Sequence, residues 1–277
     1  VHPRALPATP RTRLATAGDG RADSAPLAGC HALVTGASRG IGEACAARLA
    51  ALGARVTVIA RHREALEAAR ERSGAAAAIE CDVSDEEALG GALARAVAEG
   101  GPVDVLVNNA GAAESAPLGR TDRALWERML AVNLTAAFLC ARALLGPMRE
   151  RGFGRVVNIA STAGLRGYPY VSAYCAAKHG LVGLTRALAA ECGGDGVTVN
   201  AVCPGFTDTE LLAASARRIA AETGRSEAEA RAALAAGNPH GRLIAPGEVA
   251  ATVAWLCLPE AAAVNGQALA VAGGEPR

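Results

Sequence analysis

Short apolar runs separated by stretches of helical length constrain this chain more than any other feature. From Cys30 onward the runs read HALVTG, RVTVIA, AAAIECDV, VDVLVNNAG, RVVNIAS, VTVNAVCPG and QALAVAGG. Between them, alanine-rich segments predict helices over Ile41–Leu52, Asp85–Ala98, Arg123–Glu150 and Ser172–Cys192. Runs of Val and Ile without polar alternation suit strands covered on both faces. Their separation by helices predicts βαβ units around a parallel sheet. Right-handed crossovers then put helices on both sides. The expectation is an α/β chain with a doubly wound, parallel seven-stranded sheet in a single domain over 29–277. Since 51% of residues are apolar and only 3% aromatic, Ala, Val, Leu and Ile must build the core.

Other classes are disfavoured. A net charge of +1 gives no electrostatic footprint for a nucleic acid or an anionic membrane. No uninterrupted apolar stretch approaches the roughly 18 residues of a membrane span, so no membrane partner is expected. Eight cysteines occur without a C-x-x-C pair, which signals neither a disulfide framework nor a zinc site. A reducing, cytoplasmic location and no metal are the expectations. The first 28 residues hold four prolines, four arginines and no periodic apolar pattern. They predict a disordered extension over 1–28. An Arg-rich transit peptide is the alternative, against which the prolines argue.

In doubly wound sheets, ligands bind beyond the carboxyl ends of the strands. Here those ends carry small or polar residues almost throughout. TGASRGIG follows the first run and opens a helix. Gly36, Gly40 and Gly42, with Ser38, Arg39 and Ile41 between them, suit a tight turn that lets a pyrophosphate approach the helix N-terminus. A bare structural turn is the bland alternative; its place after the first strand favours a dinucleotide site. The second run ends in Ala60-Arg61-His62 with no acid to hold a ribose 2′-OH. Arg39 and Arg61 could instead hold a 2′-phosphate, so NADP(H) is expected, with NAD(H) the alternative if they are merely surface arginines.

YVSAYCAAKHG, from Tyr170, contains Lys178, the only lysine among 28 basic residues, and all three tyrosines lie at Tyr168, Tyr170 and Tyr174. On a helix starting near Ser172, Tyr174 and Lys178 share a face one turn apart. A neighbouring ammonium favours the phenolate and is expected to lower the tyrosine's pKa, making it a usable acid or base. A solvated lysine beside a core tyrosine is the alternative, although exposed positions in this chain take arginine. Tyr168 and Tyr170 flank Pro169 and belong to a loop, where they are expected at a substrate mouth.

These pieces are similar to a known family. TGASRGIG, NNAG, NIASTAG, YCAAK and CPGFTDT, in that order, resemble the short-chain dehydrogenase/reductase family over about Cys30 to Gly274. The resemblance implies a Rossmann-type fold with Tyr174 as catalytic acid/base and Lys178 holding the nicotinamide ribose. It implies that Ser161 binds the reacting oxygen and that Asn133 supports a water-linked proton relay. A purely structural amide remains open for Asn133. On the cofactor side it implies contacts from Asp82 and Val83, from Asn109, Ala110 and Gly111, and from Pro204, Gly205, Thr207 and Thr209. Thr207 stands where the family commonly has Val or Ile.

Within the family, GRVVNIASTAG, YCAAKHGLVGLTRALA and GVTVNAVCPGFTDT look most like 3-oxoacyl thioester reductases and aromatic polyketide ketoreductases. The implied activity is NADPH-dependent reduction of a ketone or acyl thioester. Oxidation of a secondary alcohol, sugar or sterol is the second reading, and a non-catalytic NADP-sensing protein the third. The family's habit implies a homo-oligomer, tetramer or dimer. Residues of about 206–246, rich in Ala, Arg and Glu, predict two helices forming a substrate lid.

Overall fold

The structure, a computed structural model, describes residues 25–275. Seven strands form one parallel sheet: β1 (His31–Thr35), β2 (Arg55–Ala60), β3 (Ala77–Glu80), β4 (Val105–Asn108), β5 (Gly154–Ile159), β6 (Val197–Pro204) and β7 (Ala268–Val271). Their order is β3-β2-β1-β4-β5-β6-β7. The direction of winding reverses between β1 and β4, which pair from Ala32↔Val105 to Val34↔Val107.

The strands are apolar on both faces because helices cover both. Ala32 and Val34 of β1 pack with α1 (Gly40–Ala51) and α9 (Pro246–Cys257). Leu33 points the other way, to α3 (Glu86–Gly100) and α5 (Ala136–Glu150). The remaining helices are α2 (Arg63–Ser73), α4 (Arg123–Leu130), α6 (Ser172–Cys192), α7 (Glu210–Thr223) and α8 (Glu227–Ala236), of which α7 and α8 pack on each other. All eight cysteines are buried, behaving as small apolar side chains.

Local chemistry sets the helix limits. Asp85 caps α3 by accepting from the Ala88 N–H, and Asp122 caps α4 through the Leu125 N–H. Ser226 and Glu229 form a reciprocal capping box at α8. Gly224, with φ of 72°, ends α7 in the left-handed region. Residues 206–246 thus hold two helices, α7 and α8.

Two expectations change. The helix predicted over Arg123–Glu150 is continuous but contains a π turn over Ala131–Thr135. It is also the one helix among the described residues long and apolar enough to cross a membrane; half of its most apolar window is buried in the domain. The boundary expected at residue 29 moves toward the N-terminus. Leu27 is fully buried in the core, and its N–H donates to Leu52 O at 2.9 Å, so the domain is packed before residue 29. The remainder of the expected extension, 1–24, lies outside the described residues.

Candidate active site

At the switch between β1 and β4 the backbone is held open by side-chain hydrogen bonds. Thr35 Oγ1 accepts from the N–H groups of Asn109 and Ala110, each at 3.1 Å. Asn109 Nδ2 donates back to Thr35 O and Gly36 O, both at 3.0 Å. The glycines have little room to be anything else. Gly36 has φ of +66°, and a Cβ on Gly42 would lie 2.4 Å from Asn109 Nδ2. α1 then begins at Gly40 behind Arg39, with no side chain capping its first amides. Uncapped N–H groups over bare backbone form a cradle that suits a diphosphate.

Ser38 and Ile41 are half-buried in this turn, and Arg39 is exposed. Arg61, just past β2, is also exposed and reaches Asp82 only at 4.0 Å. Desolvation works to raise the Asp82 carboxyl, but the Ser84 hydroxyl and N–H together with Arg61 hold it below its ordinary value. Val83 beside it is buried. Two exposed guanidiniums therefore stand beyond β1 and β2.

The other wall comes from β6. Pro204 ends the strand, and the Gly205 N–H donates to Val271 O at 3.0 Å. Thr207 is buried, with its hydroxyl on Gly205 O, and Thr209 caps α7. A Cβ on Gly40 would lie 3.1 Å from Thr209 Cγ2, so the start of α7 abuts the glycine turn.

Between these walls lie the residues expected to react. Ser161 stands beside the Tyr174 phenol and works to lower its pKa, and Ser161 Oγ accepts from the Ala163 N–H at 3.1 Å. Lys178, 4% exposed, donates from Nζ to Ile159 O at 2.8 Å and lies 5.7 Å from the Tyr174 ring centroid. Asn133 sits in the π turn, buried. Its Nδ2 donates to Ala112 O and Met129 O, and its Oδ1 accepts from the Ala112 N–H. The amide thus has the partners that its burial demands. A Cβ on Gly111 would lie 2.8 Å from Asn133 Oδ1 and 3.6 Å from Lys178 Nζ. The glycine keeps a gap open between the amide and the ammonium.

The expected lowering of the tyrosine's pKa is reversed here. Burial pushes the Tyr174 phenol up to about 12, against the lowering by Ser161. Burial likewise brings the Lys178 ammonium down to about 8. The ammonium spends a donor on the Ile159 carbonyl, and desolvation of the buried phenol dominates.

Tyr170 is 65% exposed and, with φ of 66°, is the only non-glycine residue among those described in the left-handed region. Its carbonyl accepts from the Ala116 N–H at 2.7 Å, tying the loop before α6 to the loop after β4. Opposite, Arg218 donates to Ser115 O at 3.2 Å and ties α7 to that same loop. Tyr168 turns inward: its hydroxyl meets Thr162 and Glu275. Sequence reasoning singled out neither Arg166 nor Glu275, and only their tertiary partners distinguish them from other surface charges.

Three comparisons bear on this site. A family model described as short chain dehydrogenase matches residues 30–220. A Streptomyces coelicolor protein named as a ketoacyl reductase is 44% identical over 88% of this chain and 95% of its own. A cis-4-hydroxycyclohexanecarboxylate dehydrogenase of Sinomonas cyclohexanicum is 41% identical over 88% of this chain and 95% of its own. Among solved structures, a variant of actinorhodin polyketide ketoreductase with NADPH superposes with a TM-score of 0.85. It is 43% identical, covering 88% of this chain and 96% of that one.

Proposed function

The chain belongs to the short-chain dehydrogenase family and is an oxidoreductase of CH–OH and C=O groups; from that premise, we propose that it reduces a 3-oxoacyl thioester or polyketide-type ketone to a secondary alcohol with NADPH. The observation that carries the reading is the buried Tyr174, with Ser161 beside its phenol and Lys178 Nζ 5.7 Å from its ring centroid. A phenol pushed up to about 12 is protonated at neutral pH, the state a reduction needs in its proton donor.

NADPH, bound over the glycine turn, supplies the hydride. Ser161 Oγ and the Tyr174 hydroxyl hold the carbonyl oxygen. As the hydride reaches carbon, Tyr174 gives its proton to that oxygen, and carbonyl plus hydride plus proton become the alcohol. Lys178 and the gap beside Gly111 and Asn133 then offer a route for the phenol to regain its proton. Arg39 and Arg61, with no acid at the end of β2, support NADPH over NADH. The ketoacyl and polyketide reductases among the relatives support the substrate class.

A second reading, alcohol oxidation, is favoured by the cyclohexanecarboxylate dehydrogenase relative. Exposed Trp126, Phe138 and Trp255, with the partly exposed edge strand β7, support a homo-oligomer, tetramer or dimer. A cytoplasmic location remains part of the proposal. Following NADPH and NADH oxidation against β-ketoacyl thioesters, cyclic ketones and quinones tests it. Turnover with NADPH and a ketoacyl thioester is the expected result. Turnover only of alcohols with an oxidised nucleotide would replace it with the second reading.

A further inference from the structure

Beyond β7 the chain turns back against the substrate side. Gly273, with φ of +60°, makes this possible, because a Cβ there would lie 2.4 Å from the His240 ring. Two residues on, Glu275 buries its side chain to 1% exposure. Its Oε1 accepts from the Tyr168 hydroxyl and pairs with Arg166 Nη2 at 2.7 Å, while Oε2 is buried without a hydrogen bond. The Arg166 guanidinium stacks 4.7 Å over the Tyr168 ring, and that ring meets Phe206 edge-on at 6.3 Å. The Tyr168 hydroxyl is also 2.8 Å from Thr162 Oγ1.

Thr162 directly follows Ser161 and opens the single turn Thr162–Gly164, in which the Gly164 N–H donates to Ser161 O at 2.8 Å. A chain of contacts therefore runs from Glu275 through Tyr168 and Thr162 to the turn that presents the Ser161 hydroxyl. Burying a carboxylate that leaves one oxygen unsatisfied is costly. The cost is understandable where the carboxylate fixes two groups at once. Burial, and then the bond to Glu275, raise the Tyr168 phenol, so its hydroxyl stays a donor to the carboxylate.

We propose that Glu275 is a positioning residue for Ser161, locking Arg166 and Tyr168 into one wall of the substrate cleft and, through Thr162, fixing the turn that aims the serine at Tyr174. The inference rests on the carbonyl-reductase reading for its effect on turnover. It does not rest on that reading for its effect on the turn.

Glu275→Gln keeps the shape but loses the charge that holds Arg166. Tyr168→Phe cuts the link to Thr162 and removes the hydroxyl that donates to Glu275, but leaves the carboxylate paired with Arg166. Each is expected to lower kcat on a ketone about 10- to 100-fold, the scale of a displaced reacting group, while NADPH affinity stays unchanged. The double variant should be no slower than the worse single variant, because both act through one chain of contacts. Hydrogen exchange at the Gly164 and Leu165 amides, measured without substrate, should be about tenfold faster in Glu275→Gln. A wild-type protein that reduces no ketone overturns the reductase reading, and the exchange measurement still judges the positioning role. Unchanged exchange, or unchanged kcat in a protein that does reduce the ketone, overturns the inference. Additive losses accompanied by weaker NADPH binding would also overturn it, since they would mark a general structural defect.

Discussion

At the scale of the residue, the site is a competition between burial and charge. Tyr174 and Lys178 were legible as a pair one helical turn apart, but the direction of the tyrosine's shift was not. It depends on how completely tertiary packing removes water, which spacing along a helix does not encode. Replacing Tyr174 by Phe is expected to lower turnover about 10²–10⁴-fold with NADPH affinity near normal, whereas Tyr170→Phe should change only apparent ketone affinity. Comparing kcat with a fluorescence titration of NADPH checks this contrast. The pH dependence follows from Lys178. Its folded value of about 8 lies below the ordinary 10.5, so the ammonium is lost as pH rises through about 8. Reduction should be nearly flat from about pH 6 to 7.5 and fall above about 8, because the charge beside the reacting groups disappears. A rate that kept rising to pH 10 would show that the neutral amine suffices.

At the scale of the element, strand ends and helix starts carry the binding surface. Gly36, Gly40 and Gly42 were readable as a turn from their spacing, and the structure adds the reason for Gly42. Gly42→Ala would drive a methyl group to 2.4 Å from Asn109 Nδ2 and 2.5 Å from Gly36 O. The strain should cost about 1–3 kcal/mol and weaken NADPH binding at the same time, seen by thermal melting and by titration. A stable variant with normal affinity would mean that the turn has slack. The helix over Arg123–Glu150 was legible in length and apolar character, but the π turn within it was not. That turn lets Asn133 reach both backbone groups of Ala112, a residue 21 positions earlier. Such a partner comes from the fold, not from the local pattern.

At the scale of the whole molecule, the parallel sheet followed from apolar runs alternating with helices, and its covering on both faces from crossovers of one hand. The start of the domain was misplaced because Leu27 looks like one apolar residue in a proline-containing stretch. Only its insertion against Leu52 reveals it as core. Leu27→Ala should therefore cost about 2–5 kcal/mol in chemical denaturation, while removal of residues 1–24 should leave the transition in place. Equal stability of Leu27→Ala and the unmodified protein would move the boundary back. Glu275 was illegible for the opposite reason, since its partner Tyr168 lies 107 residues away. These parts serve one claim: the crevice at the β1–β4 switch delivers a hydride to a carbonyl held by Ser161 and Tyr174. Reduction of a 3-oxoacyl thioester with NADPH deuterated at the transferring C4 position tests that claim most directly. The account predicts deuterium on the carbinol carbon of the alcohol, and almost none formed by Tyr174→Phe with the same nucleotide bound. Alcohol formed without deuterium, or labelled at the wild-type rate by Tyr174→Phe, would contradict it.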